Sequence, residues 1–223
     1  MKSADMSPTD LTLDELRLAL APMVAESAVF DGWSEAAVAS AADLLGVPAA
    51  TARLAFPGGT MDMIAAWIER IDADMAAALP AAQIGKLPIR ERIRTLVQFR
   101  LDALVGSEEA LRRALSIMAM PQNAPRAARL GWHSADAMWR LAGDTATDYN
   151  HYTKRATLAA LYAATLLVFA NDRSEGKADS RAFLDRRIEG VMRFEKAKAR
   201  LLRPRDETFS LTRLLGRLRY PAR

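Results

Sequence analysis

Few side chains in this 223-residue chain are of types that do covalent or acid–base chemistry, and those few are not spaced to do it. There is no cysteine, which excludes thiolate catalysis, a thiolate zinc site and a disulfide framework. The two histidines, His133 and His151, lie outside any H-E-x-x-H or E-x-x-H pair. Asp148-x-x-His151 sets a carboxylate and an imidazole on one helical face, but a metal needs more ligands. A capping Asp beside a surface His accounts for that pair more simply. No G-x-S-x-G, P-loop or G-x-G-x-x-G occurs. Gly58-Gly59 reads as a helix connector. Glu108-Glu109 reads as the acidic start of a helix, where the dipole favours negative charge. These absences point to a binding protein with no metal and no catalytic cofactor.

What stands out instead is an aromatic and charged cluster, Trp139 followed by 143–155 (GDTATDYNHYTKR), and the apolar run Ala156 to Ala170 behind it. Asp148 is a good N-cap, because its carboxylate accepts from backbone N–H groups that have no partner within the helix. Tyr149, Tyr152 and Ala156 then share a face, with Asp148, Tyr152 and Arg155 running beside it. The helix is expected to begin as an exposed knob and continue as a rod enclosed by other helices or by ligand.

Every other long segment also reads as helix. The first runs from about Leu11 to Val29 and breaks at Gly32-Trp33. A second, Glu35 to Leu45, is capped by Ser34 and ends at Gly46, and Pro48 opens a short third. Met61, Ile64, Ile68, Ile71 and Met75 form a stripe up to Pro80. Ile89, Ile93, Leu96, Phe99 or Arg100, and Leu104 form the next. Helices follow at Leu111–Met120, at Ala127–Leu141, and from Phe183 to about Leu202. Gln83 to Leu87 reads as a loop. There is no alternating strand pattern and no fixed-period repeat, so the fold class is all-α. With 51% hydrophobic residues the chain can bury a sizeable core. It divides into a front region 1–58, a body 59–203 and a tail 204–223.

The net charge of +4 hides a polarity. Residues 1–60 hold three basic and eight acidic residues, a net of −5, whereas 181–223 hold thirteen and five, a net of +8. The tail carries FSLTRLLGRLR. Phe209 opens it, Leu211, Leu214, Leu215 and Leu218 make one stripe, and Arg213 and Arg217 flank that stripe with Arg219. A helix of about three turns is marginal alone in water, so something covers the leucines. That is the protein's own body, a dimer mate, or an anionic membrane surface, and the local positive charge favours the membrane. No apolar run reaches the roughly 20 residues of a bilayer span, and Met1 to Asp10 holds no signal core or transit pattern. The expectation is a cytoplasmic chain that meets the membrane peripherally.

Trp33 to Phe56 has helix-turn-helix spacing behind a longer helix, an order that resembles the TetR repressors. Its second short helix, AATARLAF, offers one Arg and one Thr within an acidic surrounding, a poor reader of bases and phosphates. A TetR-type regulator with an apolar effector remains the alternative, but nucleic-acid binding is not expected.

Arg113 to Met118, Pro121 to Pro125, Met138-Trp139, Ala142 to Asp144 and Thr147 to Tyr162 together resemble the coenzyme Q biosynthesis protein nine family, over about Gly32 to the basic tail. The resemblance implies a non-enzymatic, homodimeric lipid-binding accessory protein of ubiquinone synthesis. It implies a degenerate helix-turn-helix, a cavity for isoprenoid quinone intermediates or phospholipid, and an amphipathic tail helix on the membrane. It also implies a patch that docks the di-iron demethoxyubiquinone hydroxylase, falling here on Asp136, Met138, Asp148, His151, Tyr152 and Arg155. His151 departs from the family pattern, where Trp stands. The cavity is expected among Trp67, Phe99, Leu115, Met118, Leu158, Leu161 and Tyr162, whose apolar and Met side chains suit a long apolar ligand. The short N-terminus suggests a bacterial member.

Overall fold

The capping chemistry sets where the chain turns. In the computed structural model, which describes residues 11–145 and 149–201, all regular structure is helical. Thr12 accepts from the backbone of Glu15, and the Glu15 carboxylate accepts from the Thr12 N–H. This capping box starts α1, Leu13–Asp31. Ser34 caps α2, Glu35–Leu45, which ends at Gly46 in the left-handed region (φ 73°) that a side chain would disfavour. α3, Ala49–Leu54, completes the helix-turn-helix and packs on α2 and α1. α1 lies against both α2 and α4, Thr60–Ala78.

The body continues with α5, Ala81–Ile84, and α6, Ile89–Asp102. α7 is Glu108–Met118, and α8 is Ala124–Leu141. α9 is Tyr149–Phe169, and α10 is Ala178–Leu201. Two expectations are corrected here. Residues 83–87 are not all loop: Ala81–Ile84 winds into a helical turn that buries Ile84, and Arg92 donates to the Gly85 and Leu87 carbonyls behind it. α8 begins at Ala124, with Pro125 in its first turn, where the missing N–H loses nothing. The capping role of Asp148 and the tail helix from Phe209 to Arg219, including Leu211, Arg213, Leu214, Leu215, Arg217 and Leu218, lie outside the described residues. Residues up to 186 form one compact unit, and those from 187 a second.

Within the first unit, α4, α6, α7, α8 and α9 assemble around Leu96, Leu101, Met138 and Phe169, all at most 1% exposed. Trp33 ties the front region to this body. Its ring lies 5.3 Å from that of Trp67, and its indole N–H donates to the Ala110 carbonyl at 3.0 Å. Among the described residues no helix is long and apolar enough to cross a membrane.

Candidate functional site

Asp172 illustrates how tightly the body is closed below α9. Its carboxylate accepts from the backbone N–H and hydroxyl groups of both Ser174 and Ser180. Burial pushes its pKa up, but these four bonds outweigh that and hold it well below the usual carboxylate range.

α4, α6, α7, α8 and α9 do not close on one another completely. Between them lies a cavity of about 500 Å³ with a largely apolar wall. α4 contributes Ile64, Trp67, Ile68 and Ile71, and α7 contributes Leu111, Leu115 and Met118. α8 and α9 contribute mostly small residues, among them Ala127, Ala128, Gly131, Ala159, Ala160 and Ala163. Leu167, which is 59% exposed, stands where the wall meets the surface. Four of the seven expected lining residues are there: Trp67, Leu115, Met118 and Tyr162. Phe99, Leu158 and Leu161 are not on this wall. Leu158 and Leu161 are buried in helix packing on another side of α9, and Phe99 gives its place to Arg100.

Arg100 is the member that the sequence left undecided. It is 1% exposed and is the sole charged side chain on the cavity wall. Its guanidinium pairs with Asp72 of α4, and Nη2 donates to the Ser134 hydroxyl of α8 at 3.1 Å. That hydroxyl donates in turn to Asp72 at 3.2 Å. The Tyr162 ring lies over the guanidinium, 4.9 Å from its centroid. Nε–H is buried without a partner. Burial pushes Asp72 above the ordinary carboxylate range, while Arg100 and Ser134 pull it back.

The knob at the start of α9 divides into a buried half and an exposed half. Arg155 and Met138 were expected on the surface, and both are corrected. Met138 is fully buried, and the Arg155 side chain is 3% exposed. From the α8-facing side of α9, Arg155 reaches Asp136 at 2.5 Å and Asp144 at 3.0 Å. Two carboxylates hold its charge inside, as a buried ion needs. Arg140 also pairs with Asp136, and Lys154 with Asp144, while the Trp139 indole donates to the Lys154 carbonyl. Asp136 and Asp144 are thus clamps between α8 and α9. The exposed half is an aromatic cluster. Tyr152, 60% exposed, meets His151 edge-on at 5.2 Å, and Trp132 of α8 lies 6.1 Å from Tyr152 and 6.5 Å from His151. Trp132 was missed. Its spacing of seven from Trp139 and four from Asp136 places it on the α8 side that meets α9. Among the described residues no cluster of His, Asp and Glu could hold a metal ion.

Residues 124–195, which comprise α8, α9 and most of α10, match the model of the family described as COQ9. The ubiquinone biosynthesis protein COQ9 of Rattus norvegicus is 36% identical over 168 residues, 72% of this chain and 54% of that protein. The Homo sapiens protein of the same name is 34% identical over the same share of this chain and 52% of its own length. The chain belongs to the COQ9 family. It spans about half the length of the curated COQ9 proteins it matches, whose names place them in mitochondria. A solved structure, the TetR transcriptional regulator from Nitrosomonas europaea, superposes with a TM-score of 0.63 at 24% identity, covering 79% of this chain and 98% of that one. That likeness establishes the TetR-like all-α fold. The COQ9 match contains the whole α8–α9 clamp and the aromatic cluster, whereas Trp67 and Arg100 lie before it.

Proposed function

We propose that this chain is a non-enzymatic, lipid-binding accessory protein of ubiquinone biosynthesis. On this reading it takes up isoprenoid quinone intermediates at the membrane and presents them to the di-iron demethoxyubiquinone hydroxylase. The observation that carries it is the apolar cavity, in a chain whose relatives are named for ubiquinone biosynthesis. A volume of about 500 Å³ lies within the usual range for small-molecule sites. The alanines of α8 and α9 leave the room, and the exposed leucine at the rim gives a long chain a way out. The Trp132–His151–Tyr152 cluster is the docking surface for the hydroxylase. An exposed tyrosine backed by the half-buried Trp132 and His151 rings is the kind of aromatic anchor that binding hot spots use. The basic amphipathic tail supplies peripheral attachment to anionic membrane, and the protein works as a homodimer.

A transcriptional regulator is the second reading, since the fold is that of one. α3 speaks against it: it presents Ala50, Thr51, Arg53 and Leu54 to solvent, and Arg53 lies 3.6 Å from Glu35. One Arg beside a carboxylate offers phosphates little.

Titration of the full chain with decylubiquinone, read by quenching of tryptophan fluorescence, to which Trp67 on the cavity wall contributes, tests the cavity. Wild type is expected to saturate, and Ala163→Phe, which fills the space from an exposed position on α9, to lose binding with its helical circular dichroism unchanged. Equal titration of both proteins would remove the cavity from the account, and retardation of genomic DNA fragments would favour the regulator.

A further inference from the structure

Resting on that cavity reading, we infer that Arg100 is a specificity residue that selects an uncharged oxygen acceptor at the head of an apolar ligand. A cavity evolved only to hold hydrocarbon gains nothing from a guanidinium in its wall, because a buried charge is tolerated only when it is paired and hydrogen-bonded. Arg100 nevertheless lines this wall, at 1% exposure, amid leucine, isoleucine and alanine. Its fixed fork has five N–H donors. Asp72 and Ser134 take donors from the two terminal nitrogens, and Nε–H is buried with no acceptor. The guanidinium that borders the cavity is held by Asp72 and Ser134 on two neighbouring helices, and it keeps one donor without an acceptor, which a ligand oxygen brought against it would supply.

The charge of the head follows from Asp72. Its carboxylate pairs with Arg100, so the pole is a strong hydrogen-bond donor with no net charge to offer. A carboxylate or phosphate head would bring an uncompensated negative charge into an apolar wall next to Asp72. A carbonyl, ether or phenol oxygen brings none. The Tyr162 ring, on the wall and against the guanidinium, gives an aromatic head a face to pack on. The ligand therefore enters head first, with its chain toward the rim at Leu167.

Three probes of the full chain separate the possibilities: decylubiquinone, decylbenzene with no oxygen, and decanoate. The variant is Arg100→Met combined with Asp72→Leu, which removes both charges together and leaves neither stranded. Decylubiquinone is expected to bind the double variant at least about tenfold more weakly than wild type, the size of a lost charge-assisted bond. Decylbenzene is expected to bind both proteins within about twofold, and decanoate to bind wild type more weakly than the quinone. An equal loss for quinone and decylbenzene would show a merely structural role and overturn the inference. So would no loss for either, or tighter binding of decanoate. Failure of every probe to bind wild type would overturn the cavity reading as well. A second readout needs no variant: the infrared carbonyl stretch of carbonyl-labelled decylubiquinone bound to wild type. One carbonyl is expected at lower frequency than in alkane, and two carbonyls at the alkane value would contradict the inference.

Discussion

Replacing Arg155 by glutamate sets a third carboxylate beside Asp136 and Asp144, whose side chains are 18% and 4% exposed. The expected result is a loss of about 3–5 kcal/mol in urea unfolding, the cost of stranding buried charge. Arg155→Met should lose less, because Arg140 and Lys154 still pair with those carboxylates. A glutamate variant as stable as wild type would mean that the clamp does not form. Tyr152 behaves oppositely. At 60% exposure its truncation should leave stability within about 0.5 kcal/mol. Hydroxylase binding should weaken by about 2 kcal/mol in Tyr152→Ala, measured by calorimetry, and unchanged affinity would move the docking surface elsewhere. Residue types alone misplace both arginines. Hydropathy prefers Phe99 to Arg100 and sends Arg155 to the surface, but helical position decides. Residues 93, 96, 97, 100, 101 and 104 make one buried stripe on and just beyond α6, so position 100 is inside whatever it carries. The carboxylates that make this possible, Asp72 for Arg100 and Asp136 and Asp144 for Arg155, are distant or loop residues that no local window pairs with them.

At the scale of elements, helix bounds were legible because the chain marks them with caps. Ser34 and Gly46 sit where α2 starts and stops, whereas Thr12, which the expected helix from about Leu11 took inside, is the cap of α1. What was not legible is which face of α9 borders the cavity. The helix is apolar all round, so periodicity assigns no side. The structure buries Leu158, Leu161 and Phe169 in packing and leaves the alanine face at 159, 160 and 163 to the cavity. The entry to α10 carries a prediction of its own. Because the folded-state pKa of Asp172 is depressed, its four bonds stabilise the fold fully above the unfolded value of about 4. That stabilisation is lost as pH falls from there through the folded value. The stability difference between wild type and Asp172→Ala, from denaturation at pH 7 and at successively lower pH, should be constant down to about pH 4 and shrink below it. A difference independent of pH would mean that the carboxylate is not what the serines bind.

For the whole molecule, composition and periodicity were enough to give an all-helical chain with a TetR-like order. The likeness covers 98% of the solved regulator at only 24% identity, so the helix order is retained where most side chains differ. On the reading proposed above, function is carried by the cavity and the cluster grafted on that order. The charge polarity belongs to this scale too: residues 1–60 carry −5 and the last forty-three residues +8, so an anionic surface is expected to attract the basic end of the sequence and not the front. Flotation with anionic vesicles should carry the full chain at low salt and not a chain lacking residues 208–223, and equal flotation of the two would assign the leucine stripe to a protein contact. The claim on which the rest depends is that the cavity holds an apolar ligand inside cells. Mass spectrometry of lipids extracted from the full chain, purified from a host that makes ubiquinone, tests it most directly. An isoprenoid quinone or its precursor should be enriched with wild type and lost from Ala163→Phe; the same lipids, in the same amounts, from both proteins would contradict it.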